Sequence, residues 1–206
     1  DPVSDDWRRK FFLEAENICD ADMQELWGRV LAGEVAKPGS FSLRTLNVLK
    51  SLSREEAELF RLACSLANDT GEIIVQRPKR HLLGDYGLHY GRLMTLADAG
   101  LLHSPSFVLH SFRDYPDEAF QAGVYLTNNG LHFLLSGPLL KNVDLHVLTF
   151  TAVGKELQKL IPPNPCMPYI RDVAKFLRAH HGLTLKMAIE TKQDDGSTAI
   201  AFAEEF

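Results

Sequence analysis

Asp22-Met23-Gln24-Glu25-Leu26-Trp27-Gly28-Arg29-Val30-Leu31-Ala32-Gly33-Glu34, with Pro38-Gly39-Ser40-Phe41-Ser42 behind it, is the most densely patterned stretch of the chain. Its apolar residues Met23, Leu26, Trp27, Val30 and Leu31 recur at i, i+3, i+4, i+7 and i+8, the stripe of an α-helix facing a core. Asp20 or Asp22 stands where an N-cap belongs, and Gly33 where a left-handed residue just past the helix end belongs. Glu25 and Arg29 are spaced as an i,i+4 ion pair. A glycine inside a helix costs about 1 kcal/mol against alanine, so Gly28 marks either a close backbone approach or an exposed, tolerated position. Gln24, a polar amide on the flank of the stripe, has no packing or capping role visible in the sequence. The stretch reads as the structural keystone of a helical front section.

Outward from it, Ser4 can cap a preceding helix with the stripe Trp7, Phe11, Ala15 and Ile18. Pro38-Gly39-Ser40 predicts a turn, and Ser42 starts a short helix through Leu43, Leu46 and Leu49. Ser53 followed by Glu56 is a capping box, opening a helix with Ala57, Phe60, Cys64 and Ala67 on one side. Residues 1–70 therefore form a helical unit.

Residues 71–161 change character. Glu72 to Gln76 is strand-like, a helix is expected around Tyr90–Ala99 with Gly100 closing it, and strand-like runs follow at Ser106–His110 and Ala122–Leu126. Helix, strand, short helix, helix, hairpin is the order of a winged helix-turn-helix. An internal echo aligns Val124–Phe133 with Leu148–Leu157, each reading as a strand ending at a threonine, Thr127 or Thr151, that caps a helix. Residues 162–206 carry a proline-rich hinge, a helix with Ile170, Val173, Ala174 and Leu177 ended by Gly182, and a hairpin turning at Gln193–Gly196. The expected class is α+β, mainly helical: a helical unit, a winged-helix-like middle, and a small C-terminal helix with a β-hairpin.

At 206 residues the chain can bury a sizeable core. Its 45% apolar content, 24% charged content and net charge of −5 are those of an ordinary globular protein and disfavour general affinity for nucleic acid or anionic membrane. No apolar run approaches the roughly 18 residues of a membrane span. Cys19, Cys64 and Cys166 are scattered, which fits reduced, buried thiols and a cytoplasmic setting. The opening Asp1-Pro2-Val3-Ser4 reads as a start cut from a longer polypeptide.

Chemistry is sparse. His180-His181 point about 100° apart on a helix, no His-Glu-x-x-His occurs, and no metal site or cofactor is expected. There is no nucleophile elbow and no phosphate loop. Glu25 and Glu34, nine residues apart, emerge on opposite helix faces and cannot share acid–base work. The candidate nucleic-acid contacts are Arg77, Lys79, Arg80 and Arg92, set against an acidic wing loop holding Asp114, Asp117 and Glu118.

The run from Asp6-Trp7 and Phe11-Phe12, through Met23-Gln24, Leu26-Trp27 and Gly33-Glu34, to Pro38-Gly39-Ser40-Phe41-Ser42-Leu43-Arg44-Thr45-Leu46 resembles a bacterial family of unknown function. Thr151, Gly154, Glu156 and Leu157 match it more loosely. The resemblance implies a charged helical region ahead of this segment and a stress or phage-defence setting, and brings no catalytic residues. The leading reading is a non-enzymatic regulatory or protein-interaction module, whose partner is another protein or an upstream helical region of the same chain. A winged-helix nucleic-acid binder and an enzyme of unrecognised type remain as alternatives.

Overall fold

The computed structural model describes residues 2–16, 18–75, 82–104, 108–112, 123–128, 130–138, 140–192 and 198–205. In chain order the elements are α1 (Asp5–Ala15), α2 (Ala21–Ala36), α3 (Leu43–Ser51), α4 (Arg54–Leu66), β1 (Glu72–Ile74), α5 (Leu82–Asp85), α6 (Tyr90–Asp98), β2 (Val108–Ser111), β3 (Val124–Asn128), β4 (Leu131–Ser136), β5 (Asp144–Thr149), α7 (Ala152–Gln158), α8 (Met167–His181), β6 (Thr184–Lys192) and β7 (Thr198–Glu205). The class is α+β and mainly helical, as the sequence predicts. The chain forms two compact units, each gathered from separate stretches. Residues 1–61, 91–105 and 150–162 make a helical unit, and residues 62–90, 106–149 and 163–206 a sheet-bearing one.

In the helical unit the predicted caps form. Ser4 accepts from the Trp7 amide, Asp20 from Met23, Ser42 from Thr45 and Thr151 from Gly154. The Ser53 amide donates to Glu56 Oε2 at 2.8 Å while the Glu56 amide donates to Ser53 Oγ at 3.2 Å, a reciprocal capping box. Trp7 stacks on Phe11 with ring centroids 5.1 Å apart, and Phe11 meets Trp27 at 5.2 Å. The Glu25–Arg29 pair forms at 2.5 Å. Gly28 is exposed with open space where a Cβ would be, so the tolerated-glycine reading holds.

Gly33 is a correction. It lies inside α2, which runs on to Ala36 and ends at Lys37, whose amide donates to the Gly33 carbonyl. The residue must be small for another reason: a Cβ there would stand 2.7 Å from the Phe41 ring. The left-handed residue is Gly39, at φ 86°, the third residue of a turn closed by the Ser40 amide donating to Lys37 O at 3.2 Å.

Two indole nitrogens in this core are placed differently. Trp7 Nε1 donates to Phe41 O at 2.8 Å, whereas Trp27 Nε1 is buried with no hydrogen-bond partner. Trp7→Phe strands a buried carbonyl, while Trp27→Phe removes a donor that bonds nothing. Urea denaturation is therefore expected to show Trp7→Phe costing about 1 kcal/mol more than Trp27→Phe. Equal losses would contradict this account.

The sheet-bearing unit holds two antiparallel sheets, in the orders β1-β5-β2 and β3-β4-β6-β7. α8 packs on β6 through the stripe that includes Ile170, Val173, Ala174 and Leu177, and Gly182 closes it at φ 64°. The C-terminal hairpin forms, β6 pairing with β7, although the turn residues 193–197 lie outside the described ones. Tyr169 OH donates to Ile74 O at 2.8 Å and ties α8 to β1.

Two expectations for the middle of the chain fail here. The strands meant to form a wing do not pair: β2 runs against β5, and β3 against β4. Thr127 caps no helix either. Asn128 pairs with Leu131, Gly130 stands at φ 78°, and the chain continues as β4. Asn-Gly between apolar runs is a hairpin signal, since both turn residues need positive φ. The Thr151 half of the echo does open a helix, α7.

Candidate functional site

The patterned stretch resolves into a clamp on the turn after α2. The Glu34 side chain, buried at 2% exposure, accepts the Gly39 amide at 2.6 Å and the Phe41 amide at 2.9 Å. Ser40 Oγ donates to Lys37 O at 2.6 Å, and Pro38 is the second residue of the turn, where its fixed φ is favoured. Trp7 holds the Phe41 carbonyl from the other side. Gln24, without a role in the sequence, donates through Nε2 to Ile18 O at 2.8 Å and closes the loop before its helix. Glu156 joins the second motif to the first: its Oε2 accepts the Ser42 amide at 2.7 Å and the Thr45 hydroxyl, at the N-terminus of α3. Every polar group named here is spent on the fold.

Met23 and Leu26, half-buried, serve a second purpose. With Ala57, Leu160, Ile161 and Pro162 they line the floor of a groove of about 390 Å³ in the helical unit. Its walls carry Asp20, Asp22, Glu25 and Glu58 together with Arg29, Arg54 and Arg61. Arg29 also donates to Leu160 O at 3.2 Å, and Arg54 Nε pairs with Glu58 at 3.2 Å. The bond to Glu58, with the fields of Asp22 and Asp20, holds the Arg54 guanidinium above its ordinary pKa.

The sheet-bearing unit contains a smaller, half-open cavity of about 60 Å³ between its two sheets and α8. Most of its walls are apolar, among them Ile74, Phe133, Val147, Val173 and Leu177. One corner is built from Asn68, Glu72 and His110. The turn after α4 shapes it: Asn68 Oδ1 accepts the Thr70 and Glu72 amides at 3.1 and 2.8 Å. Glu72 Oε2 then accepts Asn68 Nδ2 and the Thr70 hydroxyl, both at 3.1 Å, while Oε1 lies 3.2 Å from His110 Nδ1. Burial pushes the Glu72 carboxyl upward, but hydrogen bonds from His110, Asn68 and Thr70 outweigh it and hold the pKa down at about 2. The same bond raises His110 above its ordinary value, against the effect of burial.

The pair makes stability depend on pH in a defined direction. Glu72 contributes fully above its usual 4.5, and that contribution is lost as pH falls toward 2. His110 contributes fully below its usual 6.5, and that contribution is lost as pH rises through its raised value. His110→Gln is therefore expected to cost about 1–2 kcal/mol between pH 4.5 and 6.5 and markedly less at pH 9. Chemical denaturation across that range checks it, and a pH-independent difference would refute the ionic pairing.

A family described as a protein of unknown function, DUF2806, matches residues 1–174. The chain belongs to the DUF2806 family. That span contains the whole clamp, the groove and the Glu72–His110 corner. No curated protein and no solved structure matches the chain.

Of the candidate nucleic-acid contacts, Arg77, Lys79 and Arg80 lie outside the described residues, as does the acidic loop 113–118. Arg92 is exposed on α6. Among the described residues, no cluster of three or more His, Cys, Asp or Glu could hold a metal ion, and no helix is long and apolar enough to cross a membrane. Cys64 is buried, which drives its thiol pKa up, Cys166 is half-buried, and Cys19 is exposed, contrary to a uniformly buried set. No motif or spacing in the sequence marks the Glu72–His110 corner. The local signal there is Asn68-Asp69-Thr70-Gly71, a turn sequence.

Proposed function

We propose that the chain is a protein-interaction module without catalysis of its own, and that the helical-unit groove seats an amphipathic helix of a protein partner. One observation carries this reading: the groove joins an apolar floor, Met23, Leu26, Ala57 and Ile161, to walls bearing both signs of charge. An apolar centre with a charged rim is the anatomy of a recognition surface, where the floor supplies affinity and the rim selects the partner and its register. Duplex nucleic acid, a uniform polyanion, is poorly served by walls with four carboxylates among them.

The test is site-specific photo-crosslinking in cells, with a benzophenone side chain replacing Ala57 and, as control, Val108 of the other unit. The expected result is one discrete protein adduct at position 57, absent at position 108 and lost when Leu26→Glu is added while the circular dichroism is unchanged. Equal labelling at both positions, or a nucleic-acid adduct at 57, would overturn the proposal.

A further inference from the structure

The geometry of the sheet-bearing unit points to a second, small-molecule site: we infer that its cavity binds an alkylammonium, a cation with a short apolar tail, whose head rests on Glu72. Size sets the tail. About 60 Å³ corresponds to roughly two waters. An engineered apolar cavity that takes benzene is about 150 Å³. An aromatic ring is therefore excluded, and a chain of three or four atoms fits with its head at the open rim.

Charge sets the head. A carboxylate offers about four acceptor directions. Asn68 and Thr70 take two on Oε2 and His110 one on Oε1, which leaves Oε1 able to accept a further donor. Among the described residues, the titratable groups lining the cavity are Glu72 of β1, His110 of β2 and Tyr169 of α8. The Leu145 and Val147 side chains of β5 and the Leu126, Phe133 and Leu185 side chains of the other sheet bring no charge. Tyr169 is committed to Ile74 O, and its burial keeps the phenol neutral. Among the described residues the only cation at the cavity is therefore the His110 imidazolium, which disappears as pH rises. A carboxylate beside an apolar recess then lacks a counter-charge, the condition that favours a cation able to bury a tail.

The site competes with its own histidine, so binding strengthens as pH rises from 6 to 8.5. Isothermal titration of the whole chain with propylammonium chloride, 1-propanol and sodium propionate at matched ionic strength tests this. Propylammonium is expected to bind at least about tenfold tighter than 1-propanol, and propionate not at all. Glu72→Gln should erase that preference, and His110→Gln should keep binding while abolishing its pH dependence. Should Glu72→Gln fail to fold, His110→Gln and methyl shifts of Val173 and Leu177 in the unaltered chain decide the matter. Equal affinity for the three probes, or shifts confined to residues away from Val173 and Leu177, would overturn the inference.

Discussion

Gly154→Ala is expected to destabilise the protein by about 3 kcal/mol or more, lowering its melting temperature by roughly 6–12 °C. Helix propensity alone favours alanine in α7 by about 1 kcal/mol. Space decides otherwise. A Cβ on Gly154 would stand 2.2 Å from the Leu101 carbonyl oxygen and 3.0 Å from the Phe150 Cβ. The obstacle is backbone, which cannot rotate aside as a side chain can. That same stretch accepts the Thr151 amide on Leu101 O at 3.0 Å and the Thr151 hydroxyl on Gly100 O at 2.6 Å, so relief of the clash strains both bonds. Gly28→Ala is the internal control. Nothing lies within 4 Å of a Cβ there, and about 0.5–1 kcal/mol of added stability is expected. Calorimetry of the two variants should give shifts of opposite sign. A neutral Gly154→Ala would mean that α7 does not sit on residues 100–101 as described.

Glu34→Ala is expected to cost about 3 kcal/mol, because it leaves the Gly39 and Phe41 amides without the carboxylate that accepts them. Glu34→Gln keeps one acceptor but turns an NH₂ group toward a donor, so it should cost less, about 2 kcal/mol. The damage should spread to Trp7, whose indole bonds the Phe41 carbonyl. The chain has two tryptophans, Trp7 and Trp27, so Trp27→Phe leaves a single reporter of the turn. In that background, a red-shifted Trp7 emission on Glu34→Ala is expected before global unfolding. If Glu34→Gln matches the unaltered protein in urea midpoint, the clamp contributes nothing.

What the sequence made legible was local. Ser4, Asp20, Ser42, Ser53 and Thr151 were readable as caps because a cap and its partner amide lie within three residues. The stripes of α2 and α8 were readable because burial follows the 3.6-residue period. The failures lie where partners are distant or two local signals compete. At Thr127-Asn128-Asn129-Gly130 a threonine that could cap a helix competes with Asn-Gly, the stronger turn signal, and the chain turns back into β4. Gly33 looked like a helix terminator because a glycine kept small for the Phe41 ring carries no mark in the sequence. Glu72 and His110 lie 38 residues apart and meet only because β1 and β2 flank β5 in one sheet. No spacing rule links them. Likewise β2 finds β5 rather than its neighbour β3, a pairing set by the finished sheet.

The place of β6 bears on how the protein can be shortened. It pairs with β4 on one side and β7 on the other, and both it and β7 lie beyond residue 174, where the family match ends within α8. A chain cut there would leave β4 with an open edge of unpaired amides and carbonyls, including the row that meets Thr184–Ala188. Exposed edges of apolar strands recruit other strands. Such a truncation is a route to aggregation rather than to a minimal domain, and the tail acts as the sheet's own protection against it.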